Sequence, residues 1–197
     1  KQFSPSKYLS CDYFLIFNKN IKLKYKNYIN ANYILLGSFR NNLVKTQRTN
    51  FKKSFLYISQ FRMNNSLNDT NIQIKLIKYL NSYFVKHNLK INILLQYKTY
   101  KSYDNQKYEI DFFKKYFKSN CTFINSKNWK SVYKNVDMYE NIIFLDSTLG
   151  YEAISRKKKV AVFSLNRSGN KIHYFGWPSN IIKNPKNNKI ADQHFLI

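Results

Sequence analysis

Short apolar runs alternate along the chain with longer stretches whose apolar positions recur every three or four residues. Residues 12–17 (DYFLIF) predict a buried strand. After Asn18, a candidate cap, residues 19–30 place Ile21, Tyr25, Tyr28 and Ile29 at helical spacing, and residues 33–36 (YILL), closed by Gly37, predict a second strand. Strand, helix and strand make a βαβ unit. Between residues 38 and 53 the period is lost and Arg, Asn, Thr, Gln and Lys dominate, which predicts a linker. The expected organisation is therefore residues 1–45 as the tail of an N-terminal βα domain with its linker, and residues 46–197 as a second domain whose C-terminal end is truncated.

The alternation then resumes. Strands are predicted at residues 55–58, 91–95, 122–124, 141–145 and 160–163. A helix from Asp69, as N-cap, to His87 carries Ile72, Leu76, Leu80 and Phe84 on one face. Further helices carry Ile110, Phe113 and Phe117, then Trp129, Val132, Tyr133 and Val136, and a short one starts near Leu149. Five near-continuous apolar strands separated by helices call for a parallel sheet covered on both faces, a Rossmann-like α/β fold.

In such sheets ligands bind at the carboxyl ends of strands. The candidate loops are thus residues 59–68, 96–104, 146–150 and 164–176. The sharpest is DSTLGYEA, residues 146–153, which joins a buried strand directly to a helix. Asp146 opens it, and Ser147 and Thr148 put hydroxyl and N–H groups at a helix N-terminus, where unpaired donors and the dipole favour a phosphate. Gly150 allows close approach of the backbone to a ligand, and Glu152, read as a first-turn residue, can accept from a ribose diol. The same residues suit a purely structural role, because Asp, Ser and Thr are preferred helix caps and an early Glu suits the dipole. On the 59–68 loop, Ser59 and Gln60 border the cleft and Arg62 offers a planar fork to phosphate. Gln96, Tyr97 and Lys98 end the next strand, and His173 lies on the last loop.

Charge changes this picture less than its size suggests. Against 10 acidic residues stand 34 basic ones, a formal net charge of +24, with Lys spread from Lys1 to Lys189. A footprint for nucleic acid would cluster Lys and Arg with stacking aromatics on one face, so a solvated, Lys-rich surface is the favoured reading and nucleic acid the disfavoured partner. Such a surface still attracts acidic membranes and phosphorylated ligands. No run reaches the roughly 20 apolar residues that span a bilayer. Cys11 and Cys121 form no framework, which points to a reducing compartment. His87, His173 and His194 have no metal-ligand spacing, and no metal or other cofactor is expected. With four Gly, the chain has no Walker or dinucleotide-type loop.

The stretch DSTLGYEAISRKKKVAVF, residues 146–163, resembles the segment of GT-B glycosyltransferases in which a Ser/Thr- and Gly-bearing turn precedes Glu-Ala, a basic linker and a strand. Together with GSFRNN (37–42), ISQFR (58–62) and FGWP (175–178), it is similar to bacterial surface-carbohydrate biosynthesis proteins of the O-antigen or lipopolysaccharide type, over residues 9–178. The resemblance implies that residues 46–197 form a GT-B C-terminal domain holding a nucleotide-sugar donor. Ser147, Thr148 and Gly150, with Arg62, would meet the donor phosphate and Glu152 the ribose. Ser59, Gln60, Asp146, Lys98 and His173 would border the donor cleft. It implies glycosyl transfer to a lipid-linked or surface glycan by a cytoplasmic protein held against the inner face of an acidic membrane. The acceptor base would lie in the N-terminal domain, so this fragment alone is expected to bind donor without turnover. Members commonly carry Gly after the helix, where this chain has Lys157. The rival expectations are a polyanion- or nucleic-acid-binding module without catalysis, and a scaffold or sugar-nucleotide epimerase of the same fold.

Overall fold

The computed structural model describes residues 9–17, 19–61, 67–96, 103–118, 120–145 and 147–163. These fall in two compact units, residues 9–43 and 44–163. In the first, β1 (Leu9–Ile16) and β2 (Ile29–Leu35) pair in parallel across α1 (Lys19–Tyr25), and a single-turn helix, α2 (Phe39–Asn42), follows. The βαβ unit is there, but α1 stops at Tyr25. Ile29, assigned by periodicity to the helix, instead opens β2 opposite Leu9. Ser38 Oγ caps α2 by accepting the Asn41 N–H at 3.4 Å. Leu9, Tyr13, Leu15, Ile34 and Leu35 are exposed on this small sheet.

The second unit is built on β3 (Phe51–Ile58), β4 (Ile91–Leu94), β5 (Cys121–Ile124), β6 (Tyr139–Phe144) and β7 (Lys159–Val162), all parallel, in the order β5-β4-β3-β6-β7. Strand alternation sends side chains to two cores. Tyr57, Ile91, Ile93 and Ile143 face α3 (Leu67–Lys86) and α4 (Tyr103–Tyr116), which contribute Leu76, Ile77, Leu80, Phe84 and Phe113. Leu56, Ile58, Leu94, Ile142 and Phe144 face α5 (Trp129–Met138) and α6 (Thr148–Ser155), with Val136 and Ala153. Each such side chain, fully buried, contributes about 1.5–3 kcal/mol. Helices on both faces of a parallel sheet are the predicted Rossmann-like architecture.

Boundaries moved where local chemistry outweighs periodicity. α3 begins at Leu67, so Asp69 lies inside the first turn rather than at the cap. α5 begins at a capping box, with Asn128 Oδ1 accepting the Ser131 N–H at 2.9 Å and Ser131 Oγ accepting the Asn128 N–H at 3.0 Å. β3 starts inside the expected linker, and a register shift lies between Phe51 and Phe55. Within it Lys53 has φ +58°, and its N–H donates to Glu140 Oε2 at 2.8 Å. That bond, helped by Lys159, holds the Glu140 carboxyl below its ordinary value. Its contribution to stability is present above the ordinary carboxylate range and is lost as pH falls through the lowered value.

The remainder of the expected linker is tied down by buried polar groups. Arg156 and Asp137, 3% and 0% exposed, form a two-pronged ion pair, with Nε donating to Oδ1 at 2.7 Å. Arg156 Nη1 also donates to the Val44 carbonyl at 3.1 Å, and Asp137 Oδ2 accepts the Gln47 N–H at 2.9 Å. Lys158 donates to Thr49 Oγ1 at 2.8 Å and to the Asp137 carbonyl. The stretch that the GT-B resemblance implies to be a basic linker is not a solvated one, since Arg156 and Lys158 are buried and organise residues 44–49.

Helix α6 ends in a left-handed turn at Lys157, with φ +60°. The Lys157 N–H donates to the Ile154 carbonyl at 3.0 Å and the Lys158 N–H to the Ala153 carbonyl at 3.1 Å, the Schellman pattern. The GT-B resemblance implies Gly at this position. The left-handed conformation costs an L-residue roughly 1–2 kcal/mol, partly offset by the extra chain entropy of Gly. Lys157→Gly is therefore expected to stabilise the protein by about 0.5–1 kcal/mol, read as a rise in the thermal midpoint. A fall would contradict the strain account.

Candidate functional site

The strand order reverses direction between β3 and β6, and a cavity of about 300 Å³ opens at that switch point. Ile58, Ser59 and Gln60 line it from the end of β3, and Leu94, Leu95 and Gln96 from the end of β4. Val132 of α5 forms one wall, and Ser147, Thr148 and Leu149 bring the start of α6 to the other. Five of these lining residues are polar and five apolar, and the size is at the small end for a small-molecule site. None of these lining residues carries a formal charge, so the net charge of +24 does not enter the cavity wall among the described residues.

Five sequence-predicted residues meet here: Ser59, Gln60, Gln96, Ser147 and Thr148. Ser147 has the extended backbone of an N-cap, φ −105° and ψ 130°, yet its side chain makes no capping hydrogen bond. The hydroxyl therefore lines the cavity without capping the helix. Tyr151 N–H already reaches the Ser147 carbonyl at 3.1 Å, which leaves the N–H groups of Thr148, Leu149 and Gly150 without an intrahelical partner. Their partial positive charge suits an anion.

Gly150 and Glu152 do not stand where the sequence placed them. A Cβ on Gly150 would lie 2.3 Å from two carbons of the Phe144 ring, so the missing side chain is explained by α6 packing on β6, not by approach to a ligand. Glu152 is the fifth helical residue, beyond the first turn, and is not among the cavity-lining residues. Its carboxylate accepts the Tyr133 hydroxyl at 2.8 Å, and the Arg156 guanidinium lies 5.3 Å from the centre of the same Tyr133 ring. Arg62, Lys98, Asp146 and His173, with Tyr97 and His194, lie outside the described residues. His87 follows α3 and stacks on Tyr83 at 4.5 Å, remote in the fold from the cavity lining.

Sequence reasoning missed the groups behind the wall. Gln73, 6% exposed, donates from Nε2 to the Gln60 carbonyl at 2.9 Å. Glu109, 1% exposed, accepts the Ser59 hydroxyl and the Gln96 N–H. The signal available was one Glu on the apolar stripe beside Ile110 and Phe113. A polar residue at a core position needs partners, and strand ends supply them.

A family model described as "putative O-antigen biosynthesis protein" matches residues 2–186. The chain belongs to this family. The match runs through both compact units and takes in every element of the O-antigen family chain described above. No curated protein matches it. Among its described residues no helix is long and apolar enough to cross a membrane, and no cluster of three or more His, Cys, Asp or Glu is placed to hold a metal ion.

Proposed function

We propose that this O-antigen family protein binds a nucleotide-sugar in the switch-point cavity and serves glycosyl transfer to a surface-glycan acceptor. The observation that carries the reading is the N-terminus of α6, where Ser147, with no side-chain cap bond, lines with Thr148 and Leu149 a cavity at the carboxyl ends of β3 and β4. The donor phosphate would sit at α6, with Gly150 contributing its backbone N–H. Gln60 and Gln96 would meet the rest of the nucleotide.

In the transfer step an acceptor oxygen forms a bond to the sugar C1 as the C1–O bond to phosphate breaks. The electron pair of that bond leaves on the phosphate oxygen, and the acceptor proton passes to a base. Helix-end donors strengthen as that oxygen gains charge, which is transition-state stabilisation by fixed dipoles. Among the described residues of the cavity wall there is no carboxylate or imidazole. Glu152 enters the reading as the candidate ribose acceptor, sharing its carboxylate with Tyr133. The Lys-rich surface would hold the protein against an acidic membrane, where the glycan's lipid carrier resides.

The test is a titration of the full chain with CMP, UDP, GDP and dTDP at two salt concentrations. One nucleotide class is expected to saturate with little salt dependence, because the described residues of the cavity wall carry no formal charge. Ser147→Ala is expected to weaken it by about tenfold, the loss of one hydrogen bond to a charged group. Equal binding of all four that fades with added salt and ignores Ser147→Ala would instead assign the interaction to surface lysines.

A further inference from the structure

Glu109 is a buried carboxylate that the transfer step does not use. It projects from α4 to the carboxyl ends of two neighbouring strands. Its Oε1 accepts the Ser59 hydroxyl, and its two oxygens share the Gln96 N–H at 3.1 and 3.3 Å. Ser59 follows β3, Gln96 follows β4, and both line the cavity. Ser59 Oγ in turn accepts the Phe61 N–H at 3.2 Å, so the hydroxyl is held in one orientation from both sides.

A neutral Gln could bridge two strand ends without taking a charge out of water. Both the Ser59 hydroxyl and the Gln96 N–H donate to Glu109, the arrangement a carboxylate's acceptor oxygens suit. The cavity therefore has two unlike ends. Helix-terminal donors stand at α6, and a carboxylate lies immediately behind the wall at β3 and β4.

We infer that Glu109 is a positioning residue for the ligand: it fixes Ser59 and Gln96 at the β3–β4 end of the cavity, while the phosphate of the nucleotide reading lies at α6. The uncharged part of the nucleotide then reads against Gln60 and Gln96. This rests on the nucleotide reading above and adds an orientation and a source of selectivity to it.

The experiment measures binding of inorganic diphosphate and of UDP, GDP and dTDP to the full chain, for wild type, Glu109→Gln, Ser59→Ala and the double variant. Thermal unfolding of each accompanies it. Glu109→Gln is expected to weaken the preferred nucleoside diphosphate about tenfold, the effect of one charge-assisted contact, while diphosphate binding holds. Ser59→Ala is expected to lower the same ratio of nucleotide to diphosphate affinity, and the double variant to be no worse than Glu109→Gln, since the two act through one contact. Equal losses for both ligand types, additive effects, or an unchanged ratio would overturn the inference. If Glu109→Gln fails to fold, an unchanged ratio in Ser59→Ala overturns it alone. Wild-type protein that binds none of the nucleoside diphosphates above diphosphate would overturn the nucleotide reading itself, a result distinct from the loss of Glu109's role.

Discussion

Arg156→Ala should cost about 3–5 kcal/mol, the typical penalty for breaking a buried ion pair from one side. Asp137 is fully buried, and the substitution leaves its carboxylate with only the Gln47 N–H among the contacts described above. The Val44 carbonyl loses its donor at the same time, and Tyr133 loses the cation over its ring. Against a total stability of about 5–15 kcal/mol for an ordinary domain, this is a large fraction. Arg156→Lys should recover only part of it, because an ammonium cannot span both carboxylate oxygens and a carbonyl in one plane. Hydrogen exchange adds a local signature, with Gln47 losing protection first because its N–H partner is the orphaned carboxylate. Denaturant unfolding measures the total. A loss below about 1 kcal/mol would mean that the pair's attraction barely exceeds its desolvation cost.

Gly150→Ala is the second large effect, and its sign is opposite to the usual gain from Ala in a helix. Helix propensity favours Ala over Gly by about 1 kcal/mol. The added methyl, however, would stand 2.3–2.5 Å from three carbons of the Phe144 ring. That ring is fully buried, packed edge-on to Tyr151 at 5.0 Å, and cannot swing away. Overpacking of this kind costs about 1–3 kcal/mol and sometimes more, so a net loss near 2 kcal/mol is expected. The strain would lift the first turn of α6 from the sheet, and nucleotide affinity should fall with stability. Phe144→Leu in the Gly150→Ala background makes room, so the pair should be less damaging than the sum of the singles. A neutral or stabilising Gly150→Ala would show that the ring gives way.

The contrast between these residues and the cavity explains what the sequence could reveal. Period and apolar runs located all five strands of the second unit, because Ile142, Ile143 and Phe144 or Ile91 and Ile93 are buried on both faces and must be apolar. The rule that ligands gather at strand carboxyl ends then brought Ser59, Gln60, Gln96, Ser147 and Thr148 to one place. Periodicity carries no information about partners distant in the chain. Arg156 and Lys158 read as a solvated basic run because their acceptors, Val44, Thr49 and Asp137, are on other segments. Glu109 was hidden for the same reason, since Ser59 lies fifty residues away. Gly150 was visible as a glycine, but the ring that demands it is a buried neighbour, not a ligand. Glu152 was placed by counting from the wrong helix start, and one residue of error moves a side chain by about 100° around a helix.

If the cavity at α6, rather than the basic surface, receives the nucleotide phosphate, amide shift mapping of the full chain during titration with its preferred nucleoside diphosphate should show where it sits. Saturable shifts are expected at Thr148, Leu149 and Gly150, accompanied by Gln60 and Gln96, and they should persist as salt is raised. Shifts spread over the lysine-bearing helix faces, silent at Thr148–Gly150 and abolished by salt, would contradict that placement.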